Sequence, residues 1–320
     1  MKKILIVGCG NIGKRHLQSL LESKNNLYDI TVVEPNKIAI HNTKSILPNS
    51  KDFSHNLKWI SNILDLTESY DFVIISTHAS GRYFLIDQLL EMGNRRFLIE
   101  KMVCQSTSEY NKILEAFNKF EAKGWVNTNL RYFLFYQKLV KYFSNKIPLT
   151  FVITGGEKGL GSNAIHFVDL FLWFTNSNTI TLNGDYLTNQ LLQNKRSSNL
   201  VEFSGILSGK SNDSHISINF SSMFNNSIII EIFNSEHHIR IDTDKTTVTK
   251  IRGLNNFNEN FKFQHASELT KKIVNEIIET DTCDLPTLND LYLVHFELFR
   301  IFNLHIKKLT NKQSDICPIT

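Results

Sequence analysis

Three glycines near the start of the chain stand at the spacing G-x-G-x-x-G: Gly8, Gly10 and Gly13, within Val7-Gly8-Cys9-Gly10-Asn11-Ile12-Gly13. They follow directly on the apolar run Ile4 to Val7 and open a helix-period stretch from Ile12 to Leu21. In that context each has a mechanical task. Gly8 permits the tight turn, Gly10 lets a pyrophosphate approach the backbone, and Gly13 lets helix and strand pack closely. The N–H groups of Asn11, Ile12 and Gly13, at the positive end of the helix dipole, suit phosphate oxygens. The next apolar run, Ile30 to Val33, ends at Glu34, 21 residues beyond Gly13. A dinucleotide site places a ribose-binding carboxylate at about that spacing. A carboxylate there repels a 2′-phosphate, so NAD(H) is expected in preference to NADP(H), with Lys37 nearby softening the preference. Two other readings stand beside this one: a glycine turn with no ligand, and an S-adenosylmethionine site with a similarly placed carboxylate. The third glycine, at the dinucleotide spacing, argues against the latter.

Further residues have the types needed to hold a hydroxyl and move its proton. Phe97-Leu98-Ile99 ends in Glu100-Lys101, and Phe72 to Ile75 ends in Ser76-Thr77. Ligands of an open parallel sheet sit outside the carboxyl ends of its strands, which brings Ser76, Thr77 and Glu100 into the cofactor-binding set. Lys101 there can hold a substrate hydroxyl and ease removal of its proton. Read alone, a lysine at a strand end is usually a solvated side chain. Downstream, Gly159-Leu160-Gly161-Ser162-Asn163-Ala164-Ile165-His166 leads to Asp169. His166 and Asp169, three apart, share one face of a helix near its start, although a lone His-x-x-Asp is more often a packing or capping pair. A third segment, Gly124 to Phe133, reads as strand-like and contains Asn127, Asn129 and Arg131.

The elements that would position these groups fall into two halves. Residues 1 to about 123 alternate short Val/Ile/Leu/Phe runs with helical stretches at Ile12 to Leu21, Tyr83 to Met92 and Glu109 to Phe120. Gly93 and the capping-box spacing of Ser106 and Glu109 mark helix ends. Such repeated units predict an open parallel sheet; Pro35 to about Leu66 is ambiguous. From about residue 200 the period becomes two, as in His215 to Phe220 and His238 to Asp242, with Asn225-Asn226 and Asn234-Ser235 as turns. That pattern predicts an antiparallel meander with one buried face. Two helical patterns, Ser267 to Glu279 and Leu288 to about Leu309, close the chain. The fold class expected is α/β. A dinucleotide-binding domain over 1–123 precedes an α+β substrate and oligomerisation domain over 124–286, and the helix at about 287–310 packs back on the first.

Composition excludes little but consistently. The 320 residues carry 35 Lys plus Arg against 31 Asp plus Glu, a net charge of +4 too thin and scattered for a nucleic-acid groove. No run approaches the roughly 20 apolar residues of a membrane span. Cys9, Cys104, Cys283 and Cys317 are isolated, without zinc-type spacing, so no metal site is expected and a reduced, cytoplasmic protein fits best.

Taken in order, the glycine loop, Glu34, Glu100-Lys101, Asn129-x-Arg131 and His166-x-x-Asp169 resemble the glucose–fructose oxidoreductase and inositol dehydrogenase family (Gfo/Idh/MocA). The resemblance implies an NAD(H)-dependent oxidoreductase interconverting a secondary alcohol and a ketone on a sugar or nucleotide-sugar-like substrate. It implies Lys101 orienting the hydroxyl, His166 exchanging the proton, and Asp169 beside them. It also implies Asn129, Arg131 and Ser162 on the substrate, and a homodimer or homotetramer formed through the C-terminal sheet. There are departures. Met102 stands where the family has proline, predicting a trans bond after Lys101, because a cis bond without proline costs about 3 kcal/mol. Thr77-His78 replaces Thr-Pro. Ser162 occupies a position that often holds aspartate, so Asp169, Asn163 or Asn129 would have to substitute, or turnover falls. Arg131 and Tyr132 could instead take a substrate carboxylate or phosphate. The alternatives are a catalytically weakened NAD(H)-binding sensor or interaction protein and, further off, a methyl-group transferase.

Overall fold

A computed structural model describes residues 1–23, 26–47, 55–143, 148–194, 197–224, 226–254, 264 and 266–320. The chain forms two compact units, one of residues 1–104, 109–129 and 264–289, the other of 105–108, 130–263 and 290–320.

In the first unit, short runs become strands, the central ones Val/Ile/Leu/Phe-rich and buried on both faces, the edge strand over Asn56–Ile60 largely exposed. They are β1 (Lys2–Val7), β2 (Tyr28–Val33), β3 (Asn56–Ile60), β4 (Phe72–Ile75), β5 (Arg96–Ile99) and β6 (Lys123–Val126). All pair in parallel, in the order β3-β2-β1-β4-β5-β6. The order reverses between β1 and β4, so the chain leaves the carboxyl ends of these neighbouring strands in opposite directions and opens a crevice there. The crossover helices are α1 (Gly13–Leu21), α2 (Lys37–Lys44), α3 (Arg82–Glu91) and α4 (Thr107–Lys119). The ambiguous stretch resolves into α2, capped by the Asn36 side chain on the amides of Ile38 and Ala39, and the edge strand β3. Gly93, at φ +91°, ends the segment after α3 in the left-handed region that glycine enters without strain.

The second unit resumes at Leu130, inside a 3-10 turn over Asn129–Tyr132 that leads to α5 (Leu134–Phe143). It continues through β7 (Thr150–Gly155), α6 (Leu160–Thr175), β8 (Thr181–Leu187), β9 (Leu192–Gln193) and β10 (Val201–Glu202). The strands β11 (Gly205–Ser211), β12 (Ser214–Phe220), β13 (Ile229–Phe233), β14 (His238–Asp242) and β15 (Thr247–Arg252) follow. Seven strands form one sheet in the order β15-β14-β13-β7-β12-β11-β8, antiparallel except for the parallel β7–β12 pair. The expected meander is therefore split, because β7 inserts between β12 and β13. The period of two survives: Ile216, Ile218, Ile230, Ile232, Ile239 and Ile241 all point inward. Phe151 meets Phe171 and Phe174 of α6 edge-on, both at 5.4 Å. Asn225 lies outside the described residues, whereas Asn234 caps its turn by accepting from the amides of Glu236 and His237.

The remaining helices are α7 (Ala266–Thr280) and α8 (Leu288–Thr310). α8 starts in the first unit, where the Leu288 carbonyl accepts from Tyr110 Oη at 2.8 Å. There α7 lies along α1, burying Leu269, Ile273 and Ile277 at helical spacing and donating the Lys271 amide to Ser19 Oγ at 3.0 Å. From Asp290 onward α8 belongs to the second unit, where Phe302 stacks on Phe203 at 4.2 Å. Its Glu297 and Arg300 hydrogen-bond the amide and carbonyl of Leu182 on edge strand β8. The first unit also extends past residue 123, since β6 completes its sheet and Val126 is bonded to Pro286. Among the described residues no helix is long and apolar enough to cross a membrane.

Candidate functional site

In the first unit the loops after β1 and β4 are built against one another. Gly8 has φ +87°, and a Cβ on it would stand 2.9 Å from the Thr77 nitrogen. A Cβ on Gly13 would stand 2.1 Å from the Gly8 oxygen and 2.7 Å from Ser76 Oγ. Both glycines are thus required by close approach of backbone to backbone. At Gly10 a Cβ would meet nothing within 4 Å. The opening lies before α1, whose N-cap Ile12 makes no side-chain cap and whose first turn carries no acidic residue. The N-terminal amides of α1 thus meet no side-chain competitor for an anion there.

Glu34, at the end of β2, is buried and turned to the same loop. Its Oε2 accepts from the Cys9 amide at 2.6 Å and its Oε1 from the Asn36 amide at 2.9 Å. A carboxylate has about four acceptor sites, so the two oxygens retain capacity for the hydroxyls of a ribose. An open glycine, a bare helix start and a carboxylate fixed beside the loop fit a dinucleotide. Ser76 Oγ donates to the Gly8 oxygen at 2.7 Å, which makes it a brace for the loop. Burial, with the Glu34 charge adding and a Thr43 hydrogen bond opposing, pushes the Cys9 thiol up to about 11. Cys9 is therefore a neutral packing group rather than a nucleophile.

Glu100 faces inward. Its Oε1 lies 3.0 Å from His16 Nε2 and accepts from Asn127 Nδ2, and His16 Nδ1 lies 2.8 Å from Thr270 Oγ1. Burial raises the Glu100 carboxyl, but the His16 and Asn127 hydrogen bonds and the charges of His16 and Lys101 outweigh it and hold its pKa below the usual range. The carboxylate assigned by spacing to the cofactor is thus engaged in a buried polar network. His16 and Thr270 were missed, and Asn127 carried no assigned role, because the three come from distant segments with no shared motif. Lys101 is half-buried. The Lys101–Met102 bond, expected trans, is cis. The carbonyls on either side of it, those of Glu100 and Met102, both accept from Nη1 of Arg82, which lies on α3 and has no local signal in the sequence around Lys101.

In the second unit, His166 stands half-buried on α6, and Asp169, one turn on, is fully buried. Arg131 sets a fork on Asp169: Nε reaches Oδ2 at 3.0 Å and Nη2 reaches Oδ1, while the guanidinium lies 5.9 Å from the Trp173 ring centre. Arg131 and Asp169, assigned separately to substrate and catalysis, are therefore partners. Ser162 donates its amide to Glu202 Oε2 at 3.3 Å, and its hydroxyl to the Gly159 oxygen at 3.4 Å. Glu202, buried in the two-residue strand β10 and also accepting from Asn194 Nδ2 at 3.3 Å, places a carboxylate at the positive end of α6. A strand of two residues carries no periodicity by which to find it. Asn129 opens the 3-10 turn, where a strand was expected, and is half-buried.

The strand order, the glycine turn and the carboxylate after β2 define a dinucleotide-binding Rossmann protein. Residues 2–128 match the GFO_IDH_MocA family model, described as an oxidoreductase family with an NAD-binding Rossmann fold. Over this domain, less than half of the chain, the sequence is similar to that oxidoreductase family. No curated protein matches the sequence. Solved structures share the fold at low identity. WlbA dehydrogenase from Bordetella pertussis, in complex with NADH and UDP-GlcNAcA, is 13% identical with a TM-score of 0.67, covering 94% of this chain and 95% of that one. The UDP-N-acetylglucosamine 3-dehydrogenase GnnA from Acidithiobacillus ferrooxidans is 12% identical with a TM-score of 0.67, covering 96% and 98%. A protein called an NADPH-dependent oxidoreductase, from Desulfitobacterium hafniense, is 12% identical with a TM-score of 0.70, covering 97% and 96%.

Proposed function

We propose that this protein is an NAD(H)-dependent oxidoreductase that interconverts a secondary alcohol and a ketone on a sugar or nucleotide sugar. The observation that carries the reading is the contrast at the glycine loop. Gly8 and Gly13 are closed by neighbouring backbone, Gly10 faces open space, and Glu34 is hydrogen-bonded to the amide between Gly8 and Gly10. Glu34 supports NAD(H) over NADP(H), because its charge would repel a 2′-phosphate. The names of the WlbA and GnnA structures support the substrate class.

When bound, NAD supplies the hydride acceptor, and NADH the donor. Lys101 holds the substrate hydroxyl and stabilises the developing alkoxide, and His166 accepts the proton in oxidation or returns it in reduction. Asp169 holds Arg131, which together with Asn129 and Ser162 is assigned to substrate oxygens. The protein is further proposed to be cytoplasmic, in keeping with four cysteines of which none is in a disulfide. It is also proposed to form a homodimer or homotetramer through the second unit's sheet. There Val152, Ile229 and Phe233 are only half-buried on the face opposite the core.

Titration of the full chain with NADH and, separately, S-adenosylmethionine, followed by fluorescence and thermal shift, tests the cofactor. NADH should bind below millimolar and S-adenosylmethionine should not. Lys101→Ala should then abolish turnover of UDP-sugar acids or alcohols while leaving NADH affinity within about threefold. Absence of NADH binding at millimolar concentration sinks the reading. NADH binding with turnover indifferent to Lys101 and His166 substitution would leave a binding protein without the chemistry.

A further inference from the structure

Arg82 is among the largest fully buried side chains of the protein, 2% exposed at the first turn of α3. Its four acceptors are all backbone carbonyls. Nη2 donates to Thr77, and Nη1 donates to Glu100, to Met102 at 2.6 Å and to Val103 at 3.2 Å. Burial pulls the guanidinium down to about 10, against the pull of Glu100, Cys104 and Glu109, and so leaves it charged at neutral pH. A buried cation held only by carbonyl dipoles is costly. An arginine used solely to fill space would be replaceable by an apolar chain of similar volume. What the fork does that such a chain cannot is join two loops at once.

The two loops are those after β4 and β5, at the carboxyl ends of adjacent central strands. The carbonyls flanking Lys101, those of Glu100 and Met102, meet the same Nη1. The Lys101 backbone is thereby held on both sides, while its side chain stays half-buried. We propose that Arg82 is the positioning residue for Lys101, fixing the Glu100–Val103 loop against Thr77 so that the amine is presented in one place. This rests on the reading of Lys101 as the hydroxyl-binding group. The clamp itself is testable without a substrate.

The test uses the full-length protein with its lysines reductively 13C-methylated, the Lys101 signal being assigned by its loss in Lys101→Arg. In Arg82→Gln the Lys101 resonance should move or broaden and amide exchange over residues 100–103 should rise at least tenfold, while the signal of exposed Lys58 on β3 stays put. Where turnover is measurable, Arg82→Gln should lower kcat at least tenfold, and adding it to Lys101→Ala should cost nothing further, since both act through one amine. If Arg82→Gln does not fold, Arg82→Lys is read in the same way, because a single ammonium keeps the charge but cannot span both loops. An unmoved Lys101 signal, or losses that multiply in the double variant, would overturn the proposal. Wild-type protein that fails to bind NADH would instead remove the functional reading, with the Lys101 signal still deciding the clamp.

Discussion

Arg131 and Asp169 form a two-pronged ion pair in which the carboxylate is fully buried and the guanidinium keeps 16% of its side-chain surface. The asymmetry predicts unequal costs for the two halves. Arg131→Met strands a negative charge in the core, for which about 3–5 kcal/mol is typical. Asp169→Asn leaves a cation that can still reach water and should cost roughly 1–3 kcal/mol. Urea unfolding of both variants at pH 7.5 checks the order. Equal losses would mean that the pair adds little beyond packing.

The glycine loop separates binding from folding. At Gly10 a Cβ meets nothing, whereas at Gly13 it meets the Gly8 carbonyl at 2.1 Å. Gly10→Ala should therefore melt within a degree or two of wild type yet bind NADH at least tenfold more weakly, about 1.4 kcal/mol. Gly13→Ala should lose both, with overpacking costing about 1–3 kcal/mol. Thermal shift with and without NADH distinguishes them.

What could be seen in the sequence, and what could not, follows from the range of each signal. The glycines, Glu34 and the parallel strands were legible because a tight turn and a strand buried on both faces each write their requirement within a few residues. Gly124 to Phe133 was misread as one strand, since aromatic residues run through it. In fact Val126 ends β6, Asn127 reaches Glu100, and Asn129 opens a 3-10 turn. Arg131 and Asp169 were each picked out, but their partnership was hidden, because spacing shows which residues share an element and not which meet across 38 positions. β7 could not be placed at the centre of the second sheet for the same reason: its pairing with β12 joins segments more than 60 residues apart.

Glu34 should set the cofactor preference. Glu34→Gln keeps an acceptor for the Cys9 amide, now 2.6 Å away, and removes only the charge. Wild type should bind NADH more tightly than NADPH, and the variant should narrow that ratio by about tenfold, within the worth of a charged hydrogen bond. Parallel fluorescence titrations measure it. An unchanged ratio would place the discrimination elsewhere, with Lys37 at the start of α2 the next residue to substitute.

The buried Glu100 should leave a mark on acid stability. Its pKa in the folded protein lies below the ordinary carboxylate value despite burial, held there by His16 and Asn127. A group depressed in this way binds fewer protons folded than unfolded through the window between its two pKa values. Its contribution to stability is therefore complete above the unfolded value of about 4.3 and falls away as the pH drops toward the lower, folded one. Glu100→Gln, which cannot ionise, should be less stable than wild type at pH 7, because a buried, charge-assisted bond to His16 is lost. The difference should shrink steadily as the pH is lowered below about 4.3. Urea midpoints of the two proteins, compared between pH 7 and pH 3.5, report this directly. A gap that stays constant with pH would mean that folding leaves the carboxyl's pKa unchanged, and a gap that turns in favour of wild type as the pH falls would mean that His16 and Asn127 bind it as a neutral acid.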